Sequence, residues 1–341
     1  MQPTPSFSNQ AGAVRARRQG RIGRISLDRP RALNALDLGM VRAVAAALDA
    51  WRREPEVHVV VVEGTGGRAF CAGGDIRAIY DAVLDADHDG IERFFAEEYA
   101  LNLAVADYPK PYVALVDGIC MGGGIGVSVH GAYRVASEAA LFAMPETAIG
   151  LFPDIGATYA LPRLRGAVGI WMALTGARLG GADAVWAGLA THFVQSERVG
   201  VLPEEMAECG IAALAFAAEP PPATLPRHAA AIDRCFSAPS VPEIVRRLEA
   251  EDTDWAREQL ATLRAMSPSS VLWTFEIVRR GAGRTLKECL DAELALTRHA
   301  TRHPDFREGV RAMVVDKDRA PRWSPDRIED VDGNVIAALF D

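Results

Sequence analysis

A chain of 341 residues that is 49% hydrophobic has enough apolar material for a large buried core, and its composition is that of an ordinary globular protein. Its net charge of -8, from 37 basic and 45 acidic side chains, argues against nonspecific nucleic-acid binding, which relies on a basic footprint. A phosphate-bearing small ligand is still compatible, because a few local basic groups and backbone amides can hold one.

No apolar run approaches the roughly 20 residues that cross a bilayer, so no membrane role is expected. Cys71, Cys120, Cys209, Cys235 and Cys289 form no CxxC pair and read as free thiols in a reducing compartment, not as a zinc site. The first twenty residues hold Arg15, Arg17 and Arg18 and no acid, a faint likeness to a transit peptide. Strand-like sequence nevertheless starts near Val14, and the expectation is a cytoplasmic protein with a short tail over 1–12.

In chain order, Gly23 to Leu27 has strand character and Asp28-Arg29-Pro30 ends it. Asp37 to Arg53 carries Met40, Val41, Val44, Leu48 and Trp51 at helical spacing. The β-branched run Val57 to Glu63 reads as a strand buried on both faces, closed by Gly64-Thr65-Gly66-Gly67. A helical segment follows Asp75 and reaches Ala106 in one or two pieces. Tyr112 to Val116 is a second buried strand, introduced by Pro109 and Pro111, and a glycine run then feeds a helix through His130. Alternating strands and helices imply an α/β architecture. After about Pro203 strand signals fade, and Glu243–Arg264 and Ser270–Arg302 look helical. Pro220 to Pro222, with Pro226, mark a linker. The expected organisation is a tail over 1–12, a catalytic core over 13–205 and a mainly helical region over 206–341. No internal sequence repeat is visible.

Two glycine-rich turns stand out, Phe70-Cys71-Ala72-Gly73-Gly74-Asp75-Ile76 and Met121-Gly122-Gly123-Gly124-Ile125-Gly126. In each, glycines end a strand just before a helix, where unpaired backbone N–H groups point outward. Two such turns can each offer one N–H to the same carbonyl oxygen, as an oxyanion hole does. The alternative is a pair of tight βα connections. Neither turn is a dinucleotide fingerprint, and Gly126-Val127-Ser128-Val129-His130 is not a nucleophile elbow, since its second glycine is absent from the required place. Downstream, Glu146 and Asp154 each follow a proline in an apolar stretch from Phe142 to Asp154. Apolar surroundings raise carboxyl pKa values and suit such groups to proton transfer or nucleophilic attack. The plainer readings are a helix-start acid and a turn cap.

These turns, with Asn34-Ala35-Leu36 near the start, resemble the crotonase (enoyl-CoA hydratase/isomerase) superfamily. The stretches Met121–Gly131 and Met144–Leu164 resemble its 3-hydroxyisobutyryl-CoA hydrolase branch, as do Phe94–Tyr99, Asp305–Ala312 and Asp316-Lys317-Asp318. The likeness runs from about Gly23 to Pro325. It implies a spiral of ββα units with a helical C-terminal region, and an acyl-CoA substrate with no cofactor beyond the CoA that the substrate carries. It implies Gly74 and Gly123 as oxyanion donors, Glu146 and Asp154 as the catalytic acids, and Glu98 in the acyl pocket. Ala35, Ala72, Asp75 and Ile76 fall on the CoA-binding surface.

Hydratases use two glutamates; one matches Glu146, while the other matches Gly126, which has no side chain. Asp154 stands where hydratases usually carry glycine. Hydrolysis of a 3-hydroxyacyl-CoA to the free acid and CoA, as in valine breakdown, is therefore the expected activity, with an isomerase-type reaction or a noncatalytic CoA-binding protein as alternatives. Ala157-Thr158 departs from the glycines usual in the branch, which bears on the acyl pocket. Family members commonly form trimers or hexamers, so a homo-oligomer is expected, its subunit number open.

Overall fold

The structure, a computed structural model, describes residues 7–8 and 12–340. Its chain divides into two compact units. The first comprises Met1–Asp75, Glu97–Phe142 and Leu179–Thr224, and the second Ile76–Ala96, Ala143–Arg178 and Leu225–Asp341.

The strands, in chain order, are β1 (Phe7–Ser8), β2 (Val14–Gln19), β3 (Ile22–Leu27), β4 (Val59–Gly64), β5 (Ala69–Cys71), β6 (Tyr112–Val116), β7 (Ile119–Met121), β8 (Tyr133–Ala136), β9 (Leu141–Ala143), β10 (Leu179–Gly180) and β11 (His192–Phe193). A seven-stranded sheet runs β1-β2-β3-β4-β6-β8-β11, parallel from β3 onward. A smaller sheet runs β10-β9-β7-β5. Successive pairs β4–β5, β6–β7 and β8–β9 thus place their first strand in the large sheet and their second in the small one, each advancing one position along both. This is the expected spiral of ββα units. It repeats in structure without repeating in sequence.

The parallel sheet is buried on both faces, which explains the unbroken β-branched composition of β4. Val59 and Val61 join Ile22, Val113, Leu115, Val135 and Val194 on one side, where Leu202 and Met206 cover them. On the other side the Trp51 ring lies over Gly23, where any Cβ would collide with it. Trp51 ends the buried stripe of the helix Leu38–Arg52, whose Met40, Val41, Val44 and Leu48 follow helical spacing. Asp37 caps that helix by accepting from the Met40 N–H at 2.8 Å.

The second unit is mainly helical. The two long helical stretches expected near its end are each two helices, Val241–Glu251 with Asp254–Ala265, and Pro268–Gly281 with Leu286–Ala300. Each break coincides with a side-chain cap. Asp252 adopts φ 44 and Thr253 accepts from Ala256 N, while Thr285 and Glu288 form a reciprocal capping box. Residues 219–224 lie outside helix and strand and the first unit ends at Thr224, while Pro226, also expected in the linker, opens the helix Pro226–Phe236. No helix of the described residues is long and apolar enough to cross a membrane.

Candidate active site

The first unit carries the glycine turns. β5 and β7 are parallel neighbours with Cys71 opposite Cys120, so the turns that follow them lie side by side. Gly73 has φ 119 and Gly122 has φ 45, both in the region that favours glycine. Gly123 opens the helix Gly123–Val129 and has no intrahelical acceptor for its N–H. The loop before the Leu38–Arg52 helix pins the first turn, because Leu36 N donates to Gly73 O and Asp75 N donates to Leu36 O, both at 2.8 Å. That pairing uses the groups on either side of the Gly74 N–H, which makes no backbone hydrogen bond among the described residues. A Cβ on Gly123 would stand 3.2 Å from the Gly74 nitrogen and overlap Glu98 Oε1. The two amides expected to polarise a carbonyl are therefore close neighbours.

Other expected binding residues gather here. Ala72 N donates to Leu33 O at 3.0 Å, and Arg29 Nη1 reaches both Asp75 Oδ2 at 2.7 Å and the Ala35 carbonyl at 3.2 Å. Asn34 holds the loop by donating to the Thr65 and Ala69 carbonyls. Ile76 begins the next helix, Ile76–Leu84. Glu98 is only 2% exposed, so it is not a solvated helix acid. Asn102, one turn further on the helix His88–Ala106, is fully buried, and its side-chain amide has no hydrogen-bond partner among the described residues. The two cysteines of these turns are inert thiols: burial pushes Cys71 up to about 12 and Cys120 higher still. Ser128 donates to the Gly124 and Ile125 carbonyls, a packing role on its helix.

The second unit carries the acids. Glu146 opens the short 3-10 turn Glu146–Ile149, directly after β9, and Gly150 ends that turn at φ 70. Any Cβ at Gly150 would strike the backbone of Asp305 and Phe306. Helices brace this segment: Ser267 N donates to Thr147 O at 3.1 Å, and the Ser270 hydroxyl donates to the Leu151 carbonyl. Glu146 is 6% exposed, and its Oε2 has no hydrogen-bond partner among the described residues. Burial, and second the charge of Asp154, push the Glu146 carboxyl well above its usual value. Asp154 is itself buried. An uncompensated buried carboxyl is costly to fold around, and such groups cluster at functional sites.

Glu293, on the helix Leu286–Ala300, was not foreseen. Its carboxylate accepts from Gly156 N at 2.7 Å, Thr158 N at 3.1 Å and Thr158 Oγ1 at 2.5 Å, holding the turn after Asp154. The Thr158 hydroxyl, a departure from the branch, is thus engaged by Glu293. The helical pattern contains a signal for this residue. Leu286, Leu290, Glu293, Leu296 and Ala300 form one buried stripe, and Glu293 is the acid in its middle.

Paired amides on ββα repeats, with buried acids in the same chain, define an acyl-CoA-processing protein of the crotonase type. The description of the enoyl-CoA hydratase/isomerase family matches residues 22–340, and the chain belongs to that family. A 3-hydroxyisobutyryl-CoA hydrolase, mitochondrial, of Xenopus tropicalis is 46% identical over 334 residues, covering 94% of this chain and 86% of its own length. Among solved structures, a carnitinyl-CoA dehydratase from Mycobacterium thermoresistibile aligns at a TM-score of 0.92 with 38% identity, and an enoyl-CoA hydratase from Rhodobacter sphaeroides 2.4.1 at 0.90 with 42%, each covering 96% of both chains.

The expectation of a cytoplasmic protein is corrected by these relatives. The Xenopus hydrolase and its mouse and human counterparts are named mitochondrial, not cytoplasmic. Arg15, Arg17 and Arg18, whose composition first raised that question, lie in β2 and belong to the fold.

Proposed function

We propose that this protein is an acyl-CoA thioester hydrolase that cleaves 3-hydroxyisobutyryl-CoA, or a similar 3-hydroxyacyl-CoA, to the free acid and CoA, as in valine catabolism. The observation that carries this reading is the Glu146 carboxyl, buried with one oxygen unpartnered and Asp154 as its charged neighbour. The Gly74 and Gly123 N–H groups polarise the thioester carbonyl, where each donor is worth about 2.7–4 kcal/mol of barrier. Glu146 attacks the carbonyl carbon to form a mixed anhydride, or takes a proton from attacking water; either route expels the CoA thiolate. Asp154 supplies or accepts the proton for the leaving thiolate and the incoming water, so the two acids divide the work. Ala35, Ala72, Asp75 and Ile76 face the CoA arm, and Glu98 faces the acyl group. CoA enters as part of the substrate, and the chemistry as written requires no separate cofactor.

Hydration is the second reading, because both solved neighbours bear hydratase or dehydratase names. It lacks one of its two acids, since the position matching the second glutamate is Gly126, a buried residue of the Gly123–Val129 helix. The two readings separate in one experiment. Incubation with 3-hydroxyisobutyryl-CoA is expected to release free thiol, read with a thiol-reactive dye, while crotonyl-CoA keeps its conjugated absorbance. Loss of that absorbance without thiol release would favour hydration.

A further inference from the structure

We infer that Glu293 is a positioning residue for the proposed hydrolysis, its carboxylate fixing the turn that carries Asp154. The turn cannot hold its shape from local preference alone. Ile155 and Gly156 adopt φ 57 and φ 77 in succession, and a β-branched residue in the left-handed region persists only where the surroundings over-determine it. Three hydrogen bonds to one buried carboxylate supply that constraint, from Gly156 N to Oε2 and from Thr158 N and Oγ1 to Oε1. From the far side, Gly281 of the helix Pro268–Gly281 packs its backbone on Thr158, so closely that a Cβ there would overlap the Thr158 carbonyl.

The geometry calls for an acceptor at both oxygens. Glutamine would turn one of them into an NH2 group facing a backbone N–H, two donors with nothing between them. The partners of Glu293 among the described residues are the neutral donors of Gly156 and Thr158 and no cation, so the group serves as an acceptor, not as half of a salt bridge. The titratable groups near it are Asp154 and, one turn back on its own helix, Cys289. Burial raises the Glu293 carboxyl above its usual value, and the hydrogen bonds from Thr158 and Gly156 oppose that rise by favouring the carboxylate.

This inference rests on the hydrolase reading for its kinetic arm and stands apart from it in its exchange arm. Glu293→Gln, Thr158→Val and Thr158→Ser are compared with the wild type for CoA release and for amide hydrogen exchange at Gly156 and Thr158. Glu293→Gln is expected to lower kcat roughly 10- to 100-fold through misplacement of Asp154, while KM stays within about threefold. Thr158→Val is expected to follow it in part and Thr158→Ser to restore wild-type turnover, with faster exchange only where turnover falls. Should Glu293→Gln fail to fold, the valine and serine pair at Thr158 decides alone. A wild type that releases no thiol would defeat the hydrolase reading, and the exchange rates would still test the clamp. Wild-type kcat and exchange in both Glu293→Gln and Thr158→Val would overturn the inference, as would a loss confined to KM.

Discussion

Glu146→Gln is expected to slow CoA release roughly 10²–10⁴-fold, the span of a positioned acid or base, with KM for the thioester close to that of the wild type. Glutamine keeps the shape of the side chain and removes the group that attacks carbon or activates water. The same variant carries a second expectation with a definite sign. The folded-state pKa of Glu146 is raised, so the stability linked to its protonation is fully present below about 4.5 and is lost as pH rises through the folded value. Glutamine has no such loss. Its melting temperature should therefore gain on that of the wild type as pH rises, even as activity disappears. Full turnover in Glu146→Gln would remove this residue from the chemistry.

The second large effect is expected at Asp154. Asp154→Gly, which installs the residue that hydratases usually carry there, should cut hydrolysis roughly 10²-fold or more. Asp154→Asn should do nearly as much while keeping the side-chain shape and the Ala157 N–H to Asp154 carbonyl bond of 2.8 Å. Both changes delete a negative charge that raises the pKa of Glu146 and Glu293, so each of those carboxyls should titrate at lower pH in the variants. Unchanged hydrolysis in Asp154→Gly would take away the feature that most clearly separates this chain from a hydratase.

Where one strong local preference decides an element, the sequence is easy to read. The valine run of β4 is a strand buried on both faces, and Asp37 starts a helix whose buried stripe follows the spacing Met40, Val44, Leu48, Trp51. The two glycine turns were visible for a similar reason, since consecutive glycines before a helix leave few other conformations to consider. What escaped was short or non-local. β5 and β7 were legible only as strand ends ahead of the glycines, and β9, with three residues, is too short for a period-2 pattern, although the three build the second sheet and bring the turns together. The breaks at Thr253 and Thr285 were lost inside long apolar-periodic stretches, where a cap competes weakly with the surrounding pattern. Glu293 lies more than 130 residues from the turn it holds, and no spacing argument connects the two. Glu146 and Asp154 were legible as acids out of place in an apolar stretch; only the fold shows how little compensates the burial of Glu146.

The central claim is that Glu146, buried with one oxygen unpartnered, must be ionised to act, and the pH dependence of kcat/KM for CoA release tests it most directly, because that ratio reports the ionisation of the free enzyme. Activity is expected to climb with pH along a limb displaced well above the ordinary glutamate value of about 4.3, and to keep that limb in Glu293→Gln. A wild-type profile already level from about pH 5 upward, as an ordinary exposed carboxylate would give, would contradict the claim.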